Sequence, residues 1–165
     1  MRKLAIILII LLVCLSGCFN IDTGLNQGSR AVNVPGSSLK DFTGVLDKEW
    51  KLTEVYVNDV NIQFSRASQP EAFKDIYVIK FDKEIVSGTG APNLYSAPYT
   101  LGDNQAINIM IMRSTMMASF LEPVNLSEYE YFSYVQNSYE WRLINNNFEL
   151  LSRKDNDTVR LIFGL

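Results

Sequence analysis

The sequence has no histidine, and its two cysteines, Cys14 and Cys18, both fall within the first eighteen of 165 residues. Without histidine, the usual general base of a nucleophilic triad, the commonest zinc ligand and the usual near-neutral proton switch are all missing. Beyond residue 18 no thiol or disulfide can form. A metal site would need oxygen ligands alone, and no Asp-x-Asp-x-Asp-Gly loop is present. Asp155-Asn156-Asp157 lacks the following Gly and Glu of such a loop and reads as a hairpin turn. Basic residues are also few: 15 Lys and Arg stand against 18 Asp and Glu, a net charge of −3. That balance gives no electrostatic footprint for nucleic acid and no basic patch for anionic lipid. These shortages leave little for metal, cofactor or acid–base chemistry, and point to a non-catalytic protein.

What the chain does have begins at its N-terminus. Arg2 and Lys3 precede an unbroken apolar run from Leu4 to Val13. A membrane-spanning helix needs about 20 apolar residues. Positive residues, a short apolar run and then small residues match a cleavable secretory signal instead. Leu15-Ser16-Gly17-Cys18 resembles the lipobox of bacterial lipoproteins. That resemblance implies cleavage after residue 17 and lipid attachment at Cys18. Several acyl chains on one residue anchor durably where a single chain does not. Partnership with a membrane through this lipid, and a place in the cell envelope, follow as expectations. Phe19 stands where an aspartate would signal inner-membrane retention, which favours the outer membrane if the source has two. Removing Arg2 and Lys3 leaves 13 basic against 18 acidic residues, a net charge of −5.

Residues 18–42 are polar and interrupted by Gly24, Gly28, Pro35 and Gly36. They read as a lipidated N-terminus and flexible tether with an average reach of roughly 25 Å. Residues 43–165 read as one domain in which strand signals dominate. Strands are predicted over Trp50–Val57, Val60–Phe64, Ile76–Phe81, Ile85–Ser87, Tyr95–Leu101, Ala106–Met112, Tyr139–Ile144, Phe148–Ser152 and Thr158–Phe163, with turn residues between them. Pro98 marks an edge or a bulge. One helix is predicted from the capping box of Ser127 and Glu130, with Asn125 and Glu128 as an alternative start, and with Leu126, Tyr129, Phe132 and Val135 as its apolar face. The fold class is α+β: a single curved, mostly antiparallel sheet, partly barrel-like, packed on one main helix.

The order of motifs from Trp50 to Phe163 resembles a META/HslJ-like domain. Trp50-x-Leu52 opens it, and a strand ending in Phe81 leads to Val86-Ser87-Gly88. A Gly-rich turn with Asn93, Tyr95 and Tyr99 comes next, then Thr115-Met116-Met117-Ala118, and then Glu128, Tyr131, Phe132 and Val135. Tyr139, Trp141 and Phe148-Glu149-Leu150 close it. Where the family often has Gly-Cys-Asn this chain has Ala91-Pro92-Asn93, and Ser119 stands where a second cysteine is common. Joint loss of both cysteines makes sense if the two positions are neighbours. The resemblance implies envelope maintenance, stress tolerance or secretion without supplying a mechanism.

The candidate site positions are Asn93, Tyr95, Tyr99, Thr115 and Met117, beside the lipid attachment at Cys18. Structural roles are expected for Asn93, Tyr95, Tyr99 and Thr115, with contact to a ligand as the alternative. Asn93 and Thr115 would act through side-chain bonds to the backbone or across a connection, and Gly88 and Gly90 suit a bulge or tight turn needing permissive φ. Met110, Met112, Met116 and Met117 form a cluster whose first reading is core filling. Its second is an apolar groove for a lipid chain or for a hydrophobic segment of an envelope protein. Glu122, Glu128 and Glu130 are the carboxylates a hydrolase would have to use, and their spacing assigns no acid and base.

Overall fold

A computed structural model describes residues 42–165. The signal peptide, Cys18 and nearly all of the tether lie outside the described residues. Ten strands form one antiparallel sheet: β1 (Glu49–Val57), β2 (Val60–Asn61), β3 (Val78–Phe81), β4 (Ile85–Thr89), β5 (Leu94–Leu101), β6 (Ile107–Ile109), β7 (Arg113–Ser114), β8 (Ser138–Ile144), β9 (Asn147–Lys154) and β10 (Asp157–Gly164). The order is β6-β5-β4-β3-β1-β10-β9-β8, with β2 on β1 and β7 on β5. The two ends approach each other: Ala106 bridges Glu140, and Trp141 N donates to Gln105 O at 2.9 Å. The sheet is therefore nearly barrel-shaped. One helix, α1 (Glu128–Gln136), accompanies it. None of the described helices is long and apolar enough to cross a membrane.

Strand alternation explains how the sheet encloses its core. In β5 every second residue is buried, so Tyr95, Ala97 and Tyr99 face inward. In β1 the inward set is Trp50, Leu52 and then Val55. An irregularity between Leu52 and Glu54 in the pairing with β10 shifts the phase by one residue, which is what a bulge does to a period-two pattern. Thr53 Oγ1 bonds Ile162 O across it at 3.0 Å. Pro98 pairs with Ile85 on one side. On its other side the neighbour is interrupted between β6 and β7, opposite the position that has no N–H to donate.

The core is mostly aromatic. Phe42 packs edge-on to Phe81 and Trp141, with ring centroids 5.3 and 4.8 Å away, and also meets Tyr99 and Phe148. Phe42, read from sequence as the end of the tether, is thus a core residue. At the other end Tyr77 lies over Tyr131 at 4.4 Å. Tyr77 donates to Leu126 O at 2.5 Å, and the Tyr95 and Tyr131 hydroxyls meet at 3.0 Å. Each of these buried phenols therefore has a partner, as buried polar groups require.

The elements depart from expectation where local polar bonds or side-chain packing override a pattern. The strand expected over Val60–Phe64 stops at Asn61, because Asn61 Oδ1 accepts from Gln63 N at 2.6 Å and Gln63 adopts φ 62°. The strand expected from Ile76 starts at Val78. Tyr77 has φ 55° and sends its ring inward, while its carbonyl accepts from Leu52 N and from Arg66 Nη2. The helix buries Tyr131, Tyr134 and Val135, and Tyr129 on the expected face is 76% exposed. The helix begins only at Glu128, so Leu126 lies before it and does not set the face. Both halves of the Ser127–Glu130 capping box are formed.

Candidate functional site

The segment between β6 and α1 contains the largest concentration of exposed apolar side chains among the described residues. Met116 is 99% exposed and Phe120 108%; Met110, Ile111, Met117 and Leu121 are exposed as well. Core filling, the first reading of the methionine cluster, is therefore incorrect: only Met112 packs partly against the core. The alternation that buries Ile107 and Ile109 ends at Met110, whose N–H bonds Pro98 O at 2.9 Å. Beyond that point the chain leaves β6, and Ile111 is turned outward.

Two buried side-chain amides hold the ends of this exposed loop. At one end Asn93, 7% exposed, bonds Met117 on both backbone groups. Its Oδ1 accepts from Met117 N at 2.6 Å and its Nδ2 donates to Met117 O at 3.3 Å. The same Oδ1 accepts from Thr115 Oγ1 at 2.9 Å, and Nδ2 also donates to Glu128 Oε2 at 2.6 Å. At the other end Gln69, 5% exposed, accepts from Val124 N at 2.8 Å and donates to Val124 O at 3.1 Å. Each amide thus acts as a one-residue substitute for a neighbouring strand. All four hydrogen-bonding sites of the Asn93 amide are in use. It is a brace and has no capacity left for a ligand.

Glu128, at the start of α1, completes the brace. Its Oε1 accepts from the backbone N–H groups of Ala91 and Asn93, the latter at 2.7 Å. Thr115 Oγ1 accepts from Leu94 N at 3.1 Å, tying the loop to the start of β5. The 91–93 turn and the 115–117 segment are therefore neighbours. Gly90 and Gly88 are required for a reason other than φ, since neither has positive φ. A Cβ on Gly90 would lie 2.5 Å from Glu128 Oε1 and from the Phe132 ring. One on Gly88 would lie 1.9 Å from Val78 O. Both positions are set by close approach.

Tyr95 and Tyr99 belong to the core. Tyr95 donates to Val78 O at 3.2 Å, and burial beside Tyr131 pushes its phenol well above the ordinary value. Tyr99 donates to Asp82 O at 2.5 Å; burial and then the Asp82 charge push it up to about 12. The hydrolase carboxylates are occupied or apart: Glu128 holds the 91–93 turn, Glu130 closes the capping box, and Glu122 is exposed on the loop. The hydrogen bonds to Ser127 lower the Glu130 carboxyl below its ordinary value. Among the described residues no three acidic side chains gather as a metal site.

Among the described residues, Met110 borders one groove and Met112 and Phe132 another. An open groove of about 460 Å3 lies between Met110, Ile111, Pro98 and Ile85. A smaller one of about 260 Å3 is bordered by Met112, Tyr129 and Phe132. Sequence reasoning singled out Asn93, Thr115 and Met117, which the fold brings together, and Tyr95 and Tyr99, which it buries in the core toward opposite ends of β5. It missed Gln69, because a lone glutamine in a loop carries no periodic or motif signal. Exposure of the methionines was equally illegible, since Met suits both a core and a surface.

No family model matches the sequence, and no curated protein matches it. Among solved structures, an NMR structure of a protein from Burkholderia xenovorans is similar, with a TM-score of 0.50 and 16% identity. The match covers 76% of this chain and 87% of that one. At that identity the likeness is one of fold: this sheet and helix are an arrangement that a Burkholderia xenovorans protein also adopts.

Proposed function

We propose that this protein is a non-catalytic envelope lipoprotein, anchored through lipid on Cys18. Its META/HslJ-like domain serves envelope maintenance, stress tolerance or secretion by presenting the 110–121 segment to a hydrophobic partner. The observation that carries the reading is the exposed segment itself, whose later part is fixed at Met117 by Asn93 and at Val124 by Gln69. Monomeric proteins seldom expose contiguous apolar patches beyond a few hundred Å2 without a binding role. Gly90, Asn93, Thr115, Met117 and Glu128, which come from separate motifs of the META/HslJ resemblance, meet in one hydrogen-bonded unit. Palmitate labelling of the full chain in a bacterial host tests the anchor. Incorporation that disappears in Cys18→Ala is expected; an unlabelled chain would contradict it.

A second reading is a binding module that carries a lipid chain, favoured by the open groove between Met110, Ile111 and Ile85. Native mass spectrometry of the protein after exposure to envelope extract distinguishes the two. A discrete lipid mass, lost in Met110→Asp with the fold intact, supports the carrier. Its absence leaves the docking reading alone.

A further inference from the structure

The loop from Met117 to Val124 has a shape that narrows what it can meet. Its clamped ends lie against Asn93 and Gln69, while Phe120 and Met116 have essentially all their surface in water. From Ser114 to Leu121 there is no charged residue, and Ser114, Thr115 and Ser119 supply only hydroxyls. An uncharged tip whose Phe120 ring stands fully in water favours a surface that yields to it.

A second copy of the chain is a poor match. The exposed Met116, Met117, Phe120 and Leu121 carry no charge that would fix the register of a protein partner. A bilayer interface needs no complementary pocket. It accepts Phe, Leu and Met side chains into the boundary between headgroups and acyl chains, with hydroxyls at headgroup level. The chain outside the described residues allows that contact. From Cys18 to Asp41 there are 24 residues, about 80 Å when extended. The tether joins the domain at Phe42, beside Tyr99, whereas the loop departs beside Leu94. Those two levels of β5 are five residues, or roughly 17 Å, apart along the strand. The tip therefore lies toward the opposite end of the barrel from the tether, within its reach.

We infer that the Met116–Leu121 tip is a second, protein-borne membrane contact that inserts into the interface of the bilayer carrying the lipid anchor. This inference rests on the lipid-anchored reading above. It gives the domain a fixed orientation, with the loop end toward the bilayer. With no basic patch on an acidic domain, insertion is driven by apolar burial, independent of salt and of anionic lipid.

The test is the lipidated full chain in phosphatidylcholine vesicles with brominated acyl chains. Trp50 and Trp141 are 1% and 0% exposed and give a constant background. Phe120→Trp places a reporter at the tip, and Ile144→Trp places one on an exposed site at the β8–β9 turn. The expected result is blue-shifted Phe120→Trp emission, quenched roughly twofold, as for a residue ~5–10 Å into the interface. Ile144→Trp should remain solvent-like, and neither signal should change with salt. Adding Met116→Asp and Leu121→Asp to Phe120→Trp should abolish the quenching. Both reporter positions are exposed, so an unchanged Tm confirms that each variant folds. A solvent-like Phe120→Trp in chains that float with the vesicles overturns the inference and leaves the anchor standing. Quenching of Ile144→Trp instead inverts the orientation and also overturns it. Chains that neither float nor carry palmitate remove the anchor, and the inference with it.

Discussion

At the scale of single residues, the molecule separates side chains that hold the fold from those that the fold holds out. Asn93 is of the first kind. Its amide makes four hydrogen bonds in a buried position, and removing it takes one partner from Glu128 Oε2 and leaves the Met117 backbone groups without theirs. Leaving several buried groups unpaired costs about 2–4 kcal/mol in total. Asn93→Ala should therefore lower stability by that amount in denaturant unfolding. Asn93→Asp should cost at least as much, because it sets a second carboxylate against Glu128. Gly90→Ala should also destabilise, since its methyl would meet both Glu128 and Phe132. Phe120 is of the second kind. With nothing packed against it, Phe120→Ser should leave the unfolding midpoint within about 0.5 kcal/mol of the parent. A large aromatic whose removal costs nothing in stability is held for a purpose outside the fold. A strong loss of stability in Phe120→Ser would contradict that separation.

At the scale of elements, capping and turns set the framework that positions the loop. Ser127 caps α1 and Glu130 reciprocates, which fixes where Glu128 starts and hence where its carboxylate reaches. Ser127→Ala should cost about 1 kcal/mol. The bonds from Ser127 hold the Glu130 carboxyl below 4.5 in the folded protein. A depressed carboxyl contributes stability above its unfolded value, and that contribution is lost as pH falls through the folded one. Acid unfolding should therefore be less steep in Ser127→Ala, as far-ultraviolet dichroism against pH would show. The capping box, the hairpin turns and most strands were legible in the sequence, because each has a local chemical cause. The helix face was not, since Tyr129 and Tyr131 are the same residue type and only tertiary packing chooses between them. Nor was the short β2, which an Asn61 side-chain bond to Gln63 cuts off. The brace was half legible: Asn93 and Thr115 stood out by motif, while Glu128 read as a possible acid and Gln69 carried no signal.

At the scale of the whole molecule, an aromatic barrel supplies the rigidity and the loop spends it on display. The tyrosines at the loop end set an alkaline limit on that rigidity. Burial raises Tyr77, Tyr95 and Tyr131 above the ordinary phenol value of 10.0, and Tyr99 at the other end is pushed up to about 12. A phenol whose folded value is raised contributes fully below the unfolded value, and that contribution is lost as pH rises through the folded one. Stability should therefore fall above pH 10, with phenolate absorbance from the buried tyrosines appearing together with unfolding. Ionisation of all tyrosines near the ordinary value in a folded chain would contradict the packing described.

The central claim is that the domain holds the 116–123 segment in place so that it can be covered by something in the envelope. Hydrogen–deuterium exchange tests it most directly, comparing the lipidated full chain in native envelope vesicles with unlipidated Cys18→Ala in buffer. The account predicts slowed amide exchange from Met116 to Pro123 in the vesicles, with the rest of residues 42–165 unchanged. Equal exchange in this segment under both conditions would mean that nothing covers the loop, and would contradict the account.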